Sequence, residues 1–298
     1  GKKAVESHFA RHKISVDVGK LNPGSYQHRF ISTDKSKLPH VSIVIPTRGD
    51  TSRVWGAATC MVENTVQNIV DKSTYPSFDI TVVRDVNPDG SMVHPFVLPI
   101  KRNIQCVDYF DTFNIAAKWN VGVLASRGEI VVVLDDDTQI ATPDWLEQLV
   151  GQFQFPNTGA SGPMLQLEDG RVFSAGMSMK PKPHQISKGE SSTHIGWMGL
   201  HSVARTVTAV SGVCMAFRRS AFDAVGGFSE NYQYAYADVD FCLKLKSNNL
   251  DTVWTPEAKV YHFDSRTRGD KSADSDLLVF EKRWRRVCSE DAYTRSNA

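Results

Sequence analysis

The stretch Glu129-Ile-Val-Val-Val-Leu-Asp-Asp-Asp137 carries the strongest fold signal in the chain. After Glu129 it contains an unbroken aliphatic run, and a run of this kind predicts a strand over 129–134 that is buried on both faces of a parallel sheet. Three aspartates follow at once. Ligands of doubly wound parallel sheets bind beyond the carboxyl ends of the strands, so we expect these carboxylates to line a binding site.

Strand and helix patterns alternate on both sides of this stretch. Strands are predicted at 41–45, at 78–83 and, more weakly, at 104–107; helices are predicted at 54–69, at 113–126 with Gly128 as its stop, and from Pro143 with Thr142 as its cap. This alternation predicts an α/β fold with a doubly wound, mostly parallel central sheet and helices on both faces.

The second half of the chain has a less regular pattern. It predicts strands at 159–165, 171–177 and 207–217, a helix at 239–247, and strands near Thr252 and Val260. The long polar stretch 178–205 is expected to be a functional or mobile loop. Residues 1–39 are polar and basic, which predicts either a leader or a packing arm.

Composition narrows the functional classes. Lys and Arg total 34 against 33 Asp and Glu, so a net charge of +1 gives no field for nucleic acid, and no nucleic-acid partner is expected. A hydrophobic share of 41% is typical of a soluble globular protein. No apolar run approaches the ~20 residues of a membrane span, and no signal-peptide core is present, so we expect a cytoplasmic protein. The 5 cysteines form no C-x-x-C pair and are expected to be reduced.

The three aspartates at 135–137 favour a bound cation. Adjacent carboxylates repel one another unless a cation or a hydrogen-bond network compensates. Oxygen ligands suit Mg²⁺ or Mn²⁺. The alternative is a polar turn in which Asp137 or Thr138 satisfies backbone N–H groups.

Other charged side chains have both a functional and a structural interpretation. Asp238 and Asp240 lie at the start of a predicted helix, where the helix dipole favours negative charge. The functional interpretation of Asp238 is that it acts as a general base. His262 follows a strand-like segment and is either structural or a ligand. Arg266 and Arg268 form either a solvated cluster or a bidentate diphosphate clamp.

In this order, the segments closely resemble glycosyltransferase family 2, an inverting family with the GT-A fold. The motifs that carry the resemblance are Val41–Thr47, Phe113-Asn114 with Asn120-x-Gly122, Leu134–Asp137, Pro143–Leu146, Gly226–Phe228, Asp238–Leu243, and Tyr261-His262 with Arg268-Gly269. The branch is similar to bacterial enzymes that build surface polysaccharides with rhamnosyl or galactosyl donors. Ala237 stands where the family commonly has an acidic residue, and Arg84-Asp85 where Asp-Asn is usual.

The resemblance implies a role for each matching residue. Asp135, Asp137 and His262 would bind Mn²⁺ or Mg²⁺, and Asp238 would be the catalytic base. A UDP-, dTDP- or GDP-type sugar donor would be bound by Pro46, Thr47, Arg48, Asp85, Asn120, Asp135, Asp136, Arg266 and Arg268.

The resemblance also implies how the chain is organised. It places an N-terminal extension at 1–39, a GT-A domain at 40–270 and a helical tail at 271–298; the domain divides into a nucleotide-sugar half at 40–150 and a smaller acceptor half at 151–270. Trp197, Trp254 and the stretch 178–205 are candidates for the acceptor side, although tryptophan is more often a core residue.

The basic segment Lys282–Arg286 leaves two interpretations open. It either rests on an anionic membrane that carries a lipid-linked acceptor, which would place the protein at the inner face of the plasma membrane, or it ends a solvated helix. Membership of a larger multidomain chain is a further expectation.

The predicted activity is metal-dependent, inverting transfer of a sugar from a nucleoside-diphosphate sugar to a hydroxyl of a saccharide or lipid-linked saccharide. A sugar-1-phosphate nucleotidyltransferase would share the sheet and the metal, but its first strand should lead into a glycine-rich loop, and Pro46–Asp50 holds one glycine. The other alternative is a non-catalytic saccharide-binding module of a larger polymerase, in which the acidic clusters would be vestigial.

Overall fold

The structure, a computed structural model, describes residues 1–22, 25–32, 34–100, 103–180, 182–196, 199–263 and 274–289. Its helices are α1 (Lys2–Arg11), α2 (Met61–Lys72), α3 (Ile115–Ala125), α4 (Trp145–Gly151), α5 (Arg219–Val225), α6 (Ala237–Ser247) and α7 (Asp274–Ser289). Its strands are β1 (Val16–Asn22), β2 (Ser25–Phe30), β3 (Val41–Thr47), β4 (Thr51–Val54), β5 (Ala57–Cys60), β6 (Phe78–Asp85), β7 (Ile104–Tyr109), β8 (Ile130–Leu134), β9 (Thr138–Ile140), β10 (Thr158–Gln166), β11 (Val172–Ser174), β12 (Met177–Ser178), β13 (His184–Gln185), β14 (Arg205–Val207), β15 (Cys214–Arg218) and β16 (Asp251–His262).

A central sheet organises the described residues. Its strand order is β14-β16-β10-β15-β8-β3-β6-β7, with β11 beside β10 and β9 beside β16. The neighbours β8, β3, β6 and β7 are parallel, and so are β10 and β16, whereas β15 runs antiparallel to both β8 and β10. The predicted α/β fold with a mostly parallel central sheet is therefore confirmed.

Strand β8 lies between two apolar cores, as its unbroken aliphatic pattern predicts. Val131 and Val133 belong to the core that includes side chains of α3 and α6. Ile130, Val132 and Leu134 belong to the core that includes side chains of α2 and α4. Successive strand residues face opposite ways, so helices on both faces of the sheet bury every residue of β8.

The helix predicted at 54–69 is wrong in its first part. Strands β4 and β5 form an antiparallel hairpin, and α2 begins only at Met61. The two-residue turn Trp55-Gly56 has φ angles of 49° and 83°, and positive φ at both positions gives a turn whose twist matches the strands. Trp55 Nε1 also donates to Gln139 Oε1, so a tertiary contact supports the hairpin.

The predicted start of the helix after the aspartates is displaced by two residues. Helix α4 begins at Trp145, with Asp144 as its N-cap residue. Thr142 does not cap it, because the Thr142 hydroxyl accepts a hydrogen bond from the Lys259 N–H of β16. Thr142 therefore joins the helix entry to the sheet.

Gly128 does not end α3, contrary to the prediction. The helix ends at Ala125, and Ser126 follows as its cap. A Cβ atom on Gly128 would lie 2.4 Å from the backbone N of Ser42. This glycine is therefore required by the close approach of its backbone to β3.

The strand predicted at 207–217 is two strands in different places. Strand β14 pairs with β16, whereas β15 pairs with β8 and β10. The predictions near Thr252 and Val260 are instead one long strand, β16, with a register shift opposite Pro163 and Met164.

The N-terminal residues pack against the sheet domain, which favours the packing arm over the leader. A small core is formed by Phe9 of α1, Ile14 of the following connection and Phe30 of β2, and Phe155 packs against it. Arg29 lies 2.6 Å from Asp144 at the start of α4.

Helix α7 packs onto α6 through a buried carboxylate. Trp284 Nε1 donates to Asp240 Oδ1 at 2.8 Å, and Arg283 Nη1 lies 3.0 Å from the same oxygen. Two residues of the basic segment Lys282–Arg286, the exposed Arg283 and the buried Trp284, thus bind Asp240 of α6. Neither the membrane interpretation nor the solvated helix end predicts this contact.

Two expectations from composition can be compared with the described residues. All five cysteines are free, as expected. Among the described helices, none is both long enough and apolar enough to cross a bilayer.

Candidate active site

A cavity of about 450 Å³ opens where β3 and β8 end. Its walls come from the end of β3, the aspartates after β8, helix α3, the segment before β15, the entry to α6, and the end of β16; they include Thr47, Arg48, Asp135, Asp136, Asp137, Lys118, Gly212, Asp238 and His262. The carboxyl ends of parallel strands therefore form the site, as the fold class predicts.

Asp135, Asp137 and His262 converge at one point of this cavity. One ligand atom from each lies within 4.8 Å of the others, and His262 Nε2 lies 3.4 Å from Asp137 Oδ1. The short strand β9 explains the convergence, because its Thr138 pairs with His262 of β16. Residues more than a hundred positions apart thus form one group, called here the Asp-His group.

The middle aspartate has a different environment. Asp136 Oδ2 accepts a hydrogen bond from the Thr47 hydroxyl at 2.5 Å. Its pKa is raised to about 7 because protein encloses the carboxyl group and Asp137 and Asp135 lie beside it, although the Thr47 hydrogen bond opposes the shift. A divalent cation on the oxygen and imidazole atoms of the Asp-His group would offset this repulsion, so the residues present fit Mn²⁺ or Mg²⁺.

Asp238 is positioned by backbone hydrogen bonds at the entry to α6. Its Oδ2 accepts from Gly212 N–H at 2.8 Å, and its Oδ1 accepts from Val239 N–H at 2.8 Å. A Cβ on Gly212 would lie 2.3 Å from the Trp119 ring, so only glycine lets this backbone approach the carboxylate. The two hydrogen bonds therefore fix the orientation of the Asp238 carboxylate in the cavity wall.

Sequence reasoning missed Lys118, which lies in the floor of the cavity. Its Nζ is 2.6 Å from Asp85 Oδ1 and donates to the Thr47 carbonyl at 2.9 Å, and the residue is 1% exposed. Burial lowers its pKa, although the Asp85 carboxylate opposes the shift. The available signal was its position on the apolar face of α3, since lysines are rarely buried without a partner.

The residues predicted to bind the nucleotide are only partly brought together. Pro46, Thr47 and Arg48 line the cavity. Asp85 lies behind them, 3.9 Å from Arg48 Nε and paired with Lys118.

Asn120 and the two predicted clamp arginines have different outcomes. Asn120 does not line the cavity, because its amide bonds to the backbone N–H and carbonyl of Phe228 and to Glu230. Arg266 and Arg268 lie outside the described residues.

An aromatic wall, also missed from the sequence, lines the cavity with one ring from each half of the chain. The rings of Phe113 and Tyr234 stack at 5.5 Å with an interplanar angle of 21°. Asp276 of α7, 3% exposed, accepts hydrogen bonds from the N–H groups of Tyr234 and Ala235 at 2.7 and 3.0 Å. Helix α7 thereby fixes the segment that leads to Asp238.

The predicted sugar platforms are not supported by exposure. Trp254 is 0% exposed and packs beneath Arg205, so its interpretation as a stacking surface is wrong. Trp197 lies outside the described residues. In the stretch 178–205, Gln185 of β13 lines the cavity, which agrees with a functional role for that stretch.

The sequence also matches a known protein family. A family profile described as "Glycosyltransferase like family 2" matches residues 39–286. The chain belongs to glycosyltransferase family 2. It is therefore a transferase domain of the family that the motif order predicts.

Curated relatives of this family 2 chain are longer proteins. The chain is 31% identical over 293 residues to the uncharacterized protein y4gI of Sinorhizobium fredii, covering 95% of this chain and 31% of that protein. It is 26% identical over 280 residues to the O-antigen biosynthesis protein RfbC of Myxococcus xanthus, covering 90% of this chain and 20% of that protein. The chain thus spans less than a third of the length of either relative.

A shorter match and two solved structures extend the comparison. The chain is 29% identical over 161 residues to N-acetylglucosaminyl-diphospho-decaprenol L-rhamnosyltransferase of Mycobacterium tuberculosis, covering 51% of this chain and 52% of that protein. A mannosyltransferase of Pyrobaculum calidifontis, solved with GDP-Man and Mn²⁺, aligns with a TM-score of 0.55 at 17% identity, covering 95% of this chain and 72% of that one. GalNAc-T7, solved with UDP, GalNAc and Mn²⁺, aligns with a TM-score of 0.56 at 13% identity, and the alignment covers 88% of this chain and 52% of that one. These likenesses confirm the GT-A fold.

Proposed function

We propose that this family 2 domain is a metal-dependent, inverting glycosyltransferase that moves a sugar from a nucleoside-diphosphate sugar to a hydroxyl of a saccharide or lipid-linked saccharide. The observation that carries the proposal is the meeting of the Asp-His group and Asp238 in one cavity at the carboxyl edge of the sheet. Similarity to an O-antigen biosynthesis protein and to a rhamnosyltransferase supports a saccharide acceptor.

The donor side of the site is built from the ends of β3 and β8. Asp135, Asp137 and His262 would hold Mn²⁺ or Mg²⁺, which when bound neutralises the negative charge that develops on the leaving diphosphate. Structural neighbours solved with GDP-Man or UDP and Mn²⁺ support this choice of metal and donor class. Thr47 and Arg48 then face the nucleotide, with Lys118 fixing the Thr47 backbone from behind.

Asp238 is assigned as the base that accepts the proton of the acceptor hydroxyl. A carboxylate at this point receives the proton as the hydroxyl oxygen attacks the anomeric carbon, and the nucleoside diphosphate leaves from the opposite face. Direct displacement of this kind inverts the configuration at that carbon. The Gly212 N–H bond fixes the carboxylate orientation and stabilises its charged form before the proton arrives.

The acceptor side is assigned to the aromatic wall. The stacked rings of Phe113 and Tyr234 present a flat apolar face in the cavity, and such a face suits the C–H surface of a sugar ring. The flanking segment 234–239 leads from this wall to Asp238, so a sugar on the wall has its hydroxyls close to the proton acceptor.

A nucleotide-sugar panel tests the proposal. Melting temperatures are measured with UDP-, dTDP- and GDP-sugars, each with and without Mn²⁺, for the native domain and for Asp137→Ala. We expect one nucleotide class to stabilise the native domain only when Mn²⁺ is present, by about 2.7 kcal/mol at a hundredfold excess over Kd, and to have no such effect on the variant. An equal response with and without the metal, or no response to any donor, would overturn the proposal.

The stereochemistry is tested separately. Once the panel identifies a donor, NMR of the glycoside product reports the anomeric configuration. We expect it to be opposite to that of the donor; retention would contradict direct displacement and the role given to Asp238.

A further inference from the structure

A second cluster of metal-ligating side chains lies in the polar stretch 178–205, which the proposed function leaves mostly unused. Glu190, His194 and His201 each offer one ligand atom, and these atoms lie within 4.8 Å of one another. Glu190 Oε2 is 3.7 Å from His194 Nδ1 and 3.8 Å from His201 Nδ1. The carboxylate thus lies between the two imidazoles.

The ring of His201 is held in place before any ion binds. Its side chain is 8% exposed, and its Nε2 lies 2.6 Å from the Ser187 hydroxyl. Nδ1 lies 3.3 Å from the His194 carbonyl oxygen and 3.8 Å from Glu190 Oε2. In the tautomer that donates Nε2–H to Ser187, the Nδ1 lone pair is available to an ion, which would replace the contact with the His194 carbonyl; a second hydrogen bond orients metal-binding histidines in this way.

We propose that Glu190, His194 and His201 bind a Zn²⁺-class divalent cation and that this ion ties the segment 187–194 to His201. Two imidazoles and one carboxylate form a known zinc donor set, with a fourth position left for water. Ligand atoms about 2.0–2.2 Å from a tetrahedral ion lie about 3.3–3.6 Å apart. The spacings of 3.7 and 3.8 Å from Glu190 to the two imidazoles need only a small contraction, and the two imidazole nitrogens, which lie within 4.8 Å of each other, would move closer together.

Ligand chemistry separates this site from the Asp-His group. The Asp-His group offers two carboxylates and one imidazole, a set richer in oxygen that suits Mn²⁺ or Mg²⁺. The Glu190 cluster offers two imidazoles and one carboxylate, so it favours the softer zinc-class ions. The two sites therefore differ in selectivity, and the inference does not depend on sugar transfer.

The position of the cluster gives the ion a structural consequence. The Val172 N–H donates to the Glu190 carbonyl at 2.8 Å, so the cluster is anchored to β11. The next residue of β11, Phe173, packs its ring 4.5 Å from that of His262 and lies beneath Lys188 Nζ at 4.5 Å. An ion on Glu190 would therefore restrain the residues that pack against Phe173, whose side chain lines the cavity.

Equilibrium dialysis of the tag-free protein against Zn²⁺ tests the site. Asp137→Ala serves as the common background, since it weakens the Asp-His group, and Glu190→Gln and His194→Ala are added to it singly. Both residues are exposed, so their replacement leaves the core intact. His184→Ala is the matched control, because His184 is an exposed histidine of the same stretch whose ring contacts the Lys182 carbonyl.

We expect Zn²⁺ affinity to fall at least tenfold with Glu190→Gln and with His194→Ala, and to stay unchanged with His184→Ala. We also expect Zn²⁺ to slow tryptic cleavage after Lys188 in the background protein but not in the Glu190→Gln variant. Equal Zn²⁺ binding by all variants, or an equal loss with His184→Ala, would overturn the proposal. If the rate of tryptic cleavage after Lys188 in the background protein does not change with Zn²⁺, the ion does not restrain this segment and that part of the proposal is wrong.

Discussion

Asp238 is the residue on which the proposed proton transfer depends. Replacing it by Asn keeps an oxygen for the Gly212 N–H but removes the proton acceptor. We expect the transfer rate of Asp238→Asn to fall by about 10²- to 10⁴-fold, with nucleotide affinity unchanged. Nucleotide release assays and calorimetry measure the two effects. A parallel loss of rate and of nucleotide affinity would exclude Asp238 from the base role.

The Asp-His group makes a separate prediction about donor binding. Asp137→Ala and His262→Ala remove one ligand each from the proposed cation, so Mn²⁺-dependent donor affinity should fall at least tenfold. Calorimetric titration of the nucleotide with and without Mn²⁺ measures this. His8→Ala, an exposed histidine of α1, is the control and should bind like the native domain. Unchanged Mn²⁺ dependence in His262→Ala would place the ion elsewhere.

Single residues show where sequence reasoning succeeds and where it stops. The aspartate triplet stands out because three adjacent carboxylates follow a buried strand, and Asp238 and His262 stand out through the motifs around them. Lys118 does not, because a lysine in a helix is exposed by default, and its pairing with Asp85 is visible only after the strands are assembled. Asn120 is the opposite case. Its motif match predicted a nucleotide ligand, but its side chain instead fixes the Phe228 backbone.

At the scale of elements, helix α7 positions the segment that forms the acceptor wall. One oxygen of Asp276 accepts both the Tyr234 and Ala235 N–H groups, and the carboxylate is buried. Asp276→Ala leaves these donors without that partner, so we expect the acceptor KM to rise several-fold while the donor Kd is unchanged. Steady-state kinetics with varied acceptor, together with donor calorimetry, measure the split.

Two further variants separate positioning from general destabilisation. Asp276→Asn keeps an oxygen that can accept both bonds, so it should restore the acceptor KM. Glu281→Ala changes an exposed residue of the same helix and should have no effect. If Asn fails to rescue, or if the Asp276→Ala variant weakens donor binding as much as acceptor binding, the positioning role is wrong.

Elements also differ in how well local pattern predicts them. Strand β8 was predicted at its true place because both of its faces are buried, so every residue is apolar. The segment 54–60 has helical periodicity, yet it forms a hairpin because the Trp55-Gly56 turn has positive φ angles and Trp55 binds Gln139. A periodic pattern cannot represent a turn that tertiary contacts stabilise.

At the scale of the whole molecule, the alternation of strand and helix patterns predicts a parallel sheet but not which strands of the second half join it, or in which direction. The antiparallel insertion of β15 between β8 and β10 depends on pairing between distant segments, for which residues 207–217 contain no local signal. The pairing of Thr138 with His262 is of the same kind. Motif order, supplied by resemblance to a family, was therefore the evidence that joined the two halves of the site.

The stability of the whole domain should depend on pH through the N-terminal arm. His28 of β2 lies between the rings of Phe9 and Phe30, at centroid distances of 4.6 and 5.2 Å, and burial lowers its pKa to about 4. Between pH 6.5 and about 4 the unfolded chain therefore binds a proton that the folded chain does not. The free energy of unfolding should fall as pH falls through this window, by up to about 3 kcal/mol.

Urea unfolding of the native domain and of His28→Gln at pH 7.5, 6 and 4.5 measures this effect. Other groups titrate in both proteins, so the informative quantity is the difference between the two stability curves. His28→Gln cannot take up the proton in either state, and its stability relative to the native domain should rise as pH falls. If the difference is constant from pH 7.5 to 4.5, His28 keeps an ordinary pKa in the folded arm and the apolar contacts of its ring do not control the acid sensitivity of the fold.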